Sequence, residues 1–352
     1  MKITSRSLAR ASTLFVALAA ASAACLAGPV AGATPAQSVA SGISTHTLTG
    51  ASAAEIANYW TPERMRDAID ADALAPAGSA PTSRAGGSGS GPATMLARPQ
   101  APLTNRPQAA PTNGLQATTT TTPTRSPTGN PAQGKLFFYD RYRGNGSCSA
   151  GTVNNPTKNM VFTAAHCLWD WPPNGGAGYW MTQVMFAPAY YNGATPYGKW
   201  SLSHGAVWDQ FSVNKNYNYD YGVVNVYPDA AGRRLVDQVG GNGLSYNAGY
   251  SVTVTVWGYP KSYLSSGPYD GETPYYCSNV PTSQHGSRIK TTCDMPGGSS
   301  GGSWLLFYNA STRLGNINGV TSQRDPNLPA GYVVSPYFDN NVATLYDIRK
   351  NL

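Results

Sequence analysis

Hydrophobic and polar positions change texture along the chain, and the clearest signal lies in its C-terminal part. From about residue 134 onward, short apolar or β-branched runs recur at 135–139, 149–153, 160–163, 222–226, 251–257, 303–307, 317–320 and 332–334, separated by Gly, Pro and Asn. Such runs between turn formers predict strands, and their density predicts an all-β unit of the barrel kind. A helical period is confined to 338–348, where Val342, Leu345 and Ile348 stand three apart and predict a short C-terminal helix. The unit spans 134–352, about 219 residues, enough for one compact domain or two fused halves.

Upstream the pattern differs. Residues 1–33 read as a secretory signal peptide: Lys2, Arg6 and Arg10 precede an apolar stretch at 11–27, and Ala31-Gly32-Ala33 supplies the small residues of a cleavage position. That stretch is shorter than the roughly 20 apolar residues of a membrane span, so the expectation is a secreted, extracellular protein with no stable membrane association once the signal is removed. Cys25 lies in this stretch, and Ser22-Ala23-Ala24 before it lacks the large aliphatic residue of a lipid-acceptor site. Residues 34–133 are rich in Ala, Pro, Thr, Ser and Gly and sustain no apolar period, the composition of a largely disordered pro-segment or linker. One island stands out. Thr61-Pro62-Glu63 places a capping Thr before a Pro at the first helical position, with Met65, Ala68 and Ile69 following, and predicts a short helix. Such a segment either masks the C-terminal domain, helps it to fold, or simply spaces it.

Charge alters the list of partners. The chain carries 24 Lys+Arg against 17 Asp+Glu, a net +7, yet only 12% of its residues are charged. The excess sits mainly in the first 133 residues, at Lys2, Arg6, Arg10, Arg64, Arg66, Arg84, Arg98, Arg106 and Arg125. Residues 134–352 hold 15 basic against 12 acidic groups, with no run long enough to track a phosphate backbone, which argues against nucleic acid as a partner. With Cys25 in the signal, four cysteines remain, Cys148, Cys167, Cys277 and Cys293, and export favours their oxidation into two disulfides out of three possible pairings.

Two strings carry the candidate chemistry. Thr163-Ala164-Ala165-His166-Cys167 follows an apolar strand, so its imidazole stands at a strand end, where it can act as a fixed general base. Pro296-Gly297-Gly298-Ser299-Ser300-Gly301-Gly302-Ser303-Trp304 sets a hydroxyl among glycines that let the backbone turn sharply and aim two N–H groups at one spot. The pattern also fits the G-x-S-x-G elbow of α/β-hydrolases, but that fold needs its histidine after the serine. His46, His166, His204 and His285 all precede Ser300. The order His, acid, Ser calls for a carboxylate between the two strings, and Asp220, just before the apolar run 222–226, fits best. Asp209, Asp229, Asp237 and Asp270 lie in polar or turn-like contexts and read as surface groups, as His204 and His285 read as surface-loop histidines. No Cys/His cluster has metal-ligand spacing, and the chemistry calls for no metal or cofactor.

With these residues in view, residues 134–352 resemble the secreted trypsin-like serine peptidases of the chymotrypsin fold, in particular the bacterial branch near the glutamyl endopeptidases. The matching stretches are Cys148-Ser149-Ala150-Gly151-Thr152-Val153, Thr163 to Cys167, Asp220 to Val224 and Gly298 to Gly302, while Tyr59-Trp60-Thr61-Pro62-Glu63-Arg64-Met65 resembles the propeptide of actinobacterial members. The resemblance implies two six-stranded β-barrels with the site between them. It implies His166 as general base, Asp220 as the group orienting its ring, Ser300 as nucleophile, and the N–H groups of Gly298 and Ser300 as the oxyanion hole. It also selects the pairs Cys148–Cys167 and Cys277–Cys293. Ser299 stands where trypsins have an aspartate that pairs with a newly freed N-terminal amine, so that activation switch is not expected. Asp294, six residues before Ser300, has the spacing of the trypsin specificity aspartate. Thr321 stands where glutamyl endopeptidases place a histidine, and with Ser322 it completes the residues expected at a specificity pocket.

The expectation is therefore a monomeric serine endopeptidase acting on protein or peptide substrates through an acyl-enzyme at Ser300, arranged as a signal peptide (1–33), a pro-segment (34–133) and a peptidase domain (134–352). Its rivals are a catalytically silent peptidase-like binding domain and an extracellular esterase on the same scaffold.

Overall fold

The computed structural model describes residues 42–48, 51–71, 92–103, 119–261, 269–322 and 325–352. The expected signal peptide, Cys25 and much of 34–133 lie outside them. Four strands come from the N-terminal segment: β1 (Ile43–Thr47), β2 (Ile69–Asp70), β3 (Thr94–Ala97) and β4 (Thr124–Arg125). After them come β5 (Gln133–Asp140), β6 (Gly144–Val153), β7 (Met160–Thr163), β8 (Trp169–Asp170), β9 (Tyr179–Trp180), β10 (Thr182–Pro188), β11 (Trp200–Trp208) and β12 (Gly222–Val226). The rest are β13 (Gly243–Tyr246), β14 (Thr253–Gly258), β15 (Tyr275–His285), β16 (Arg288–Thr292), β17 (Ser303–Asn309), β18 (Leu314–Val320) and β19 (Tyr332–Pro336).

Six antiparallel strands close the first barrel in the order β5, β6, β7, β12, β11, β10 and back to β5. Its interior is filled by Leu136, Phe138, Val161, Phe186, Val207 and Val224, all fully buried. In the second half β14 pairs with β15 and β17, β15 with β16, β16 with β19, and β17 with β18. Ser322 N–H donates to the Val334 carbonyl at 2.8 Å and Val320 N–H to Ser335 Oγ at 3.0 Å, which brings the end of β18 round to β19 and closes this barrel over Val256, Val280, Ile289, Trp304 and Val333. The chain is mostly β and has the chymotrypsin-like double-barrel architecture. The predicted C-terminal helix runs over Asn340–Asp347, capped by Asp339, whose carboxylate accepts from Asn341 N–H. Its buried Val342 and Leu345 join the core of the first barrel, so the end of the chain ties the two halves together.

Within 34–133 the described residues add elements to both barrels. β1 pairs with β11 and β3 with β13, both antiparallel, β2 with β6 in parallel, and β4 with β15 antiparallel. Before the Thr61-Pro62 signal lies α1 (Ala53–Tyr59), whose Ser52 and Glu55 form a reciprocal capping box. The signal itself opens helix α2 (Pro62–Asp67), with Thr61 Oγ1 accepting from Arg64 N–H. The helix stops at Asp67 because Ala68 and Ile69 turn extended to enter β2. Ile56, Trp60, Met65 and Ala68 of this segment have no exposure and pack on Phe137, Met185, Ala187, Tyr190 and Tyr259. Among the described residues no helix is long and apolar enough to cross a membrane.

Candidate active site

Register brings the predicted base and acid to one place. β7 and β12 run antiparallel with Thr163 opposite Gly222, so the residues just after β7 and just before β12 emerge at the same end of the barrel. After Thr163 the chain makes a 3-10 turn over Ala165–Cys167 that presents His166, and Cys167 is joined to Cys148 of β6, anchoring that turn. Before Gly222 a second 3-10 turn, Tyr217–Tyr219, presents Asp220. Here His166 Nδ1–H donates to Asp220 Oδ2 at 2.8 Å and His166 backbone N–H to Asp220 Oδ1 at 2.9 Å. Ser322 Oγ–H adds a third bond, to Asp220 Oδ2 at 2.5 Å. Burial pushes the Asp220 carboxyl up. The His166 charge and the hydrogen bonds from His166 and Ser322 outweigh burial and hold it below its ordinary range.

Ser300 sits on a loop fastened to β6. Ser149 N–H donates to the Ser300 carbonyl at 2.7 Å, Ser149 Oγ–H donates to the Gly298 carbonyl at 2.9 Å, and the same Oγ accepts from Tyr259 N–H. Thr163 Oγ1–H donates to the Ser149 carbonyl, so Ser149 links the serine loop to the strand that leads to His166. On the other side Gly301 N–H donates to the Thr321 carbonyl and Thr321 N–H to the Gly302 carbonyl. Gly298 and Gly301 have φ near +84° and +80°, the left-handed region that side chains avoid. A Cβ at Gly298 would stand 2.6 Å from the Tyr259 carbonyl, and one at Gly301 would collide with Thr163 Oγ1 and the Ser149 carbonyl. Both glycines are thus required by the turn that presents Ser300, which is fully buried. The Cys167 Sγ lies 3.9 Å from the Ser300 carbonyl oxygen, which places the serine loop against the histidine turn.

The remaining predicted residues distribute unevenly. Ser322 contacts Asp220, and Thr321 Oγ1 accepts from the Trp304 indole at 3.0 Å, so both hydroxyls are engaged inside the protein. Asp294 is exposed, and its backbone N–H donates to the Thr121 carbonyl. Cys277 and Cys293 are joined, fixing the start of the stretch that leads to Ser300. Cys148, His166 and Cys167 bring three potential metal ligands together, but the two sulfurs are bonded to each other. Asp229 and Asp270 accept backbone N–H groups of their own turns. His204, read as a loop residue, lies within β11 instead, because β1 and β12 flank that strand on its two sides.

A cluster the sequence did not signal lies three residues beyond Ser322. Asp325 Oδ2 accepts from His285 Nε2 at 2.8 Å and from Arg288 Nη2 at 3.1 Å. Arg288 is buried, and among the described residues its Nη1 has no hydrogen-bond partner. Burial lowers the guanidinium's proton affinity against the opposing charges of Asp325 and Asp220.

Comparison with solved structures places this architecture among known proteins. The protease Anisep from Arthrobacter nicotinovorans is 30% identical, with a match covering 65% of this chain and 99% of that one at a TM-score of 0.56. The thermostable serine protease AL20, from an extremophilic microorganism, is 26% identical over 63% of this chain and 98% of its own, with a TM-score of 0.54. A Glu endopeptidase shares the fold at 15% identity and a TM-score of 0.50, covering 65% and 97%. No protein-family model matches the chain, and no curated protein matches it. Similarity to Anisep over nearly that protein's whole length, on a double barrel that carries His, Asp and Ser in the order read from the sequence, shows that the chain belongs to the bacterial serine proteases of the chymotrypsin fold.

Proposed function

We propose that the chain is a secreted serine endopeptidase whose triad is His166, Asp220 and Ser300. The observation that carries this reading is the pair of hydrogen bonds from His166, ring and backbone, to the two oxygens of the buried Asp220. A serine hydroxyl is a weak nucleophile at neutral pH and needs a base to take its proton as it attacks. With Nδ1–H held by Asp220, the neutral imidazole presents Nε2 as that base, and the carboxylate stabilises the imidazolium formed on attack. The glycine turn would aim the N–H groups of Gly298 and Ser300 at the oxyanion that develops on the attacked carbonyl. The tetrahedral adduct expels the leaving amine, which takes the proton from His166. Water, activated by the same imidazole, then hydrolyses the acyl-enzyme.

In this reading residues 1–33 are the signal peptide, 34–133 the pro-segment and 134–352 the peptidase domain, working as a monomer on peptide or protein substrates. The test is labelling of the secreted, processed protein with a fluorophosphonate probe beside Ser300→Ala and His166→Ala. Labelling of the wild type that disappears in both variants supports the reading. A folded, disulfide-intact, processed wild type that takes no label rejects it in favour of a silent binding domain. Faster turnover of esters with no cleavage of peptides would mark an esterase.

A further inference from the structure

The candidate oxyanion donors belong to the turn 297–300, and every carbonyl of that turn is held. Lys261 N–H donates to the Gly297 carbonyl at 2.6 Å, Ser149 Oγ–H to the Gly298 carbonyl at 2.9 Å, Gly302 N–H to the Ser299 carbonyl at 2.9 Å and Ser149 N–H to the Ser300 carbonyl at 2.7 Å. In a trans peptide the carbonyl and the N–H that follows it point in opposite directions. Holding the Gly297 carbonyl therefore sets the direction of the Gly298 N–H, and holding the Ser299 carbonyl sets that of the Ser300 N–H. The Ser299 side chain is engaged locally, donating to the Pro296 carbonyl at 2.8 Å.

Between those two peptides lies the Gly298–Ser299 peptide. Its rotation would turn the two N–H groups relative to each other, and Gly298, at φ near +84°, has no Cβ to resist it. The restraint comes from Ser149, which stands on β6 of the first barrel. Its hydroxyl donates to the Gly298 carbonyl and accepts from Tyr259 N–H at 2.9 Å, and Tyr259 lies two residues before the Lys261 that holds the Gly297 carbonyl. One hydroxyl thus fixes the middle peptide and also the segment that orients the first. Ser149, Gly298 and Tyr259 are all buried, so deleting the hydroxyl takes that bond from a carbonyl and an N–H inside the protein.

We propose that Ser149 is a positioning residue whose hydroxyl, reaching across from the first barrel, sets the oxyanion hole of Gly298 and Ser300. The inference rests on the serine-peptidase reading above. Ser149 acts through the backbone of the turn, so its loss weakens the hold on the tetrahedral adduct and leaves binding of the ground-state substrate as it was. The base is set separately, by the bonds from His166 to Asp220.

The experiment compares the secreted, processed protein with its Ser149→Ala variant. On a peptide substrate found by library cleavage, kcat and KM are measured per active site, counted by fluorophosphonate label, together with the pH profile of kcat/KM. Alongside them is measured the Ki of a trifluoromethyl ketone of the same peptide sequence, whose adduct with a serine hydroxyl is a tetrahedral oxyanion. The expected kcat is lower by about 10- to 100-fold, less than the roughly 10²–10³ lost when an oxyanion donor is deleted outright. KM should stay within about threefold, Ki should rise by the factor by which kcat/KM falls, and the acid limb of the pH profile should not move. Should Ser149→Ala fail to fold, Ser149→Gly, which leaves room for water at the two buried groups, is read by the same measures. An unchanged kcat, or a loss in kcat with Ki unmoved, overturns the role of Ser149, while a labelled and active parent leaves the serine-peptidase reading intact. A parent that takes no label and cleaves no peptide rejects that reading and the inference with it.

Discussion

Asp220 has no solvent exposure, and an isolated buried carboxylate would take up a proton. Its hydrogen bonds to the His166 ring, the His166 backbone and Ser322 reverse that tendency. Asp220→Asn conserves volume but replaces an acceptor of Nδ1–H by an amide that favours the wrong imidazole tautomer. The expected loss in kcat is about 10⁴-fold with secondary structure unchanged, measured on an activated ester. The sign for stability comes from the lowered proton affinity. The carboxylate contributes above its ordinary value near 3.8, and the contribution drains away as pH falls through the lower folded value. Asp325 poses the opposite problem, since its removal leaves the buried Arg288 guanidinium without its carboxylate partner. Asp325→Ala should cost about 3–5 kcal/mol in urea unfolding, and Arg288→Met in the same chain should recover much of it. His166, Asp220 and Ser300 could be picked out as candidates because each sits in a short string with its own chemistry. Ser149 and Ser322 were not legible in these roles: their partners Gly298 and Asp220 lie 149 and 102 positions away, and a lone serine carries no local mark of such a bond.

At the scale of elements, legibility followed how far a strand's burial depends on its own apolar residues. β7 and β12 coincide with their apolar runs, while β6 and β18 extend beyond theirs. β11 escaped detection because Ser201 and Ser203 are buried by donating to the carbonyls of Ala53 and Asn225, so its sequence does not alternate. β15 is interrupted by Pro281 and by Asn279, which has φ near +51°. β1 lacks an apolar run of its own and is placed by its pairing with β11, with Ile43 in the core and Ser44 bonded to Asp209, and that pairing places two histidines and an arginine together. Thr47 stands opposite His204 and His46 opposite Gly205, the His46 ring stacks on Trp180, and Arg349 donates to the Gly205 carbonyl. Burial lowers the proton affinity of His46, with the charges of His204 and Arg349 adding to it, and burial beside Arg349 does the same to His204. A histidine whose folded value lies below 6.5 loses stability for the folded state as pH falls past that ordinary value, because the unfolded chain binds the proton more tightly. Full-chain urea midpoints should therefore fall between about pH 7 and pH 5, and the double variant His46→Gln, His204→Gln should flatten that slope. A slope unchanged in the double variant would assign the effect elsewhere.

For the whole molecule, the question is what makes two barrels and an N-terminal segment one unit. A buried ion pair lies where all three meet. Lys135 on β5 of the first barrel places Nζ 3.0 Å from Glu272 Oε1, which precedes β15 of the second barrel. Tyr190 O–H donates to the other Glu272 oxygen and itself accepts from Gly193 N–H, while Tyr259 O–H donates to the Tyr190 carbonyl. The Lys135 ammonium lies 5.1 Å from the centres of the Phe137 and Tyr190 rings, which are the seat of Trp60. The pair is thus under the anchor of the N-terminal segment and across the joint between barrels. Lys135→Met would leave Glu272 buried without its cation and should lower stability by about 3–5 kcal/mol, whereas Lys135→Met with Glu272→Leu should return most of that loss, because two apolar side chains need no mutual compensation. The check is the urea midpoint of each variant. Recovery in the double variant assigns the loss to the unpaired Glu272 carboxylate, and no recovery assigns it to the packing of Lys135 against Phe137 and Tyr190.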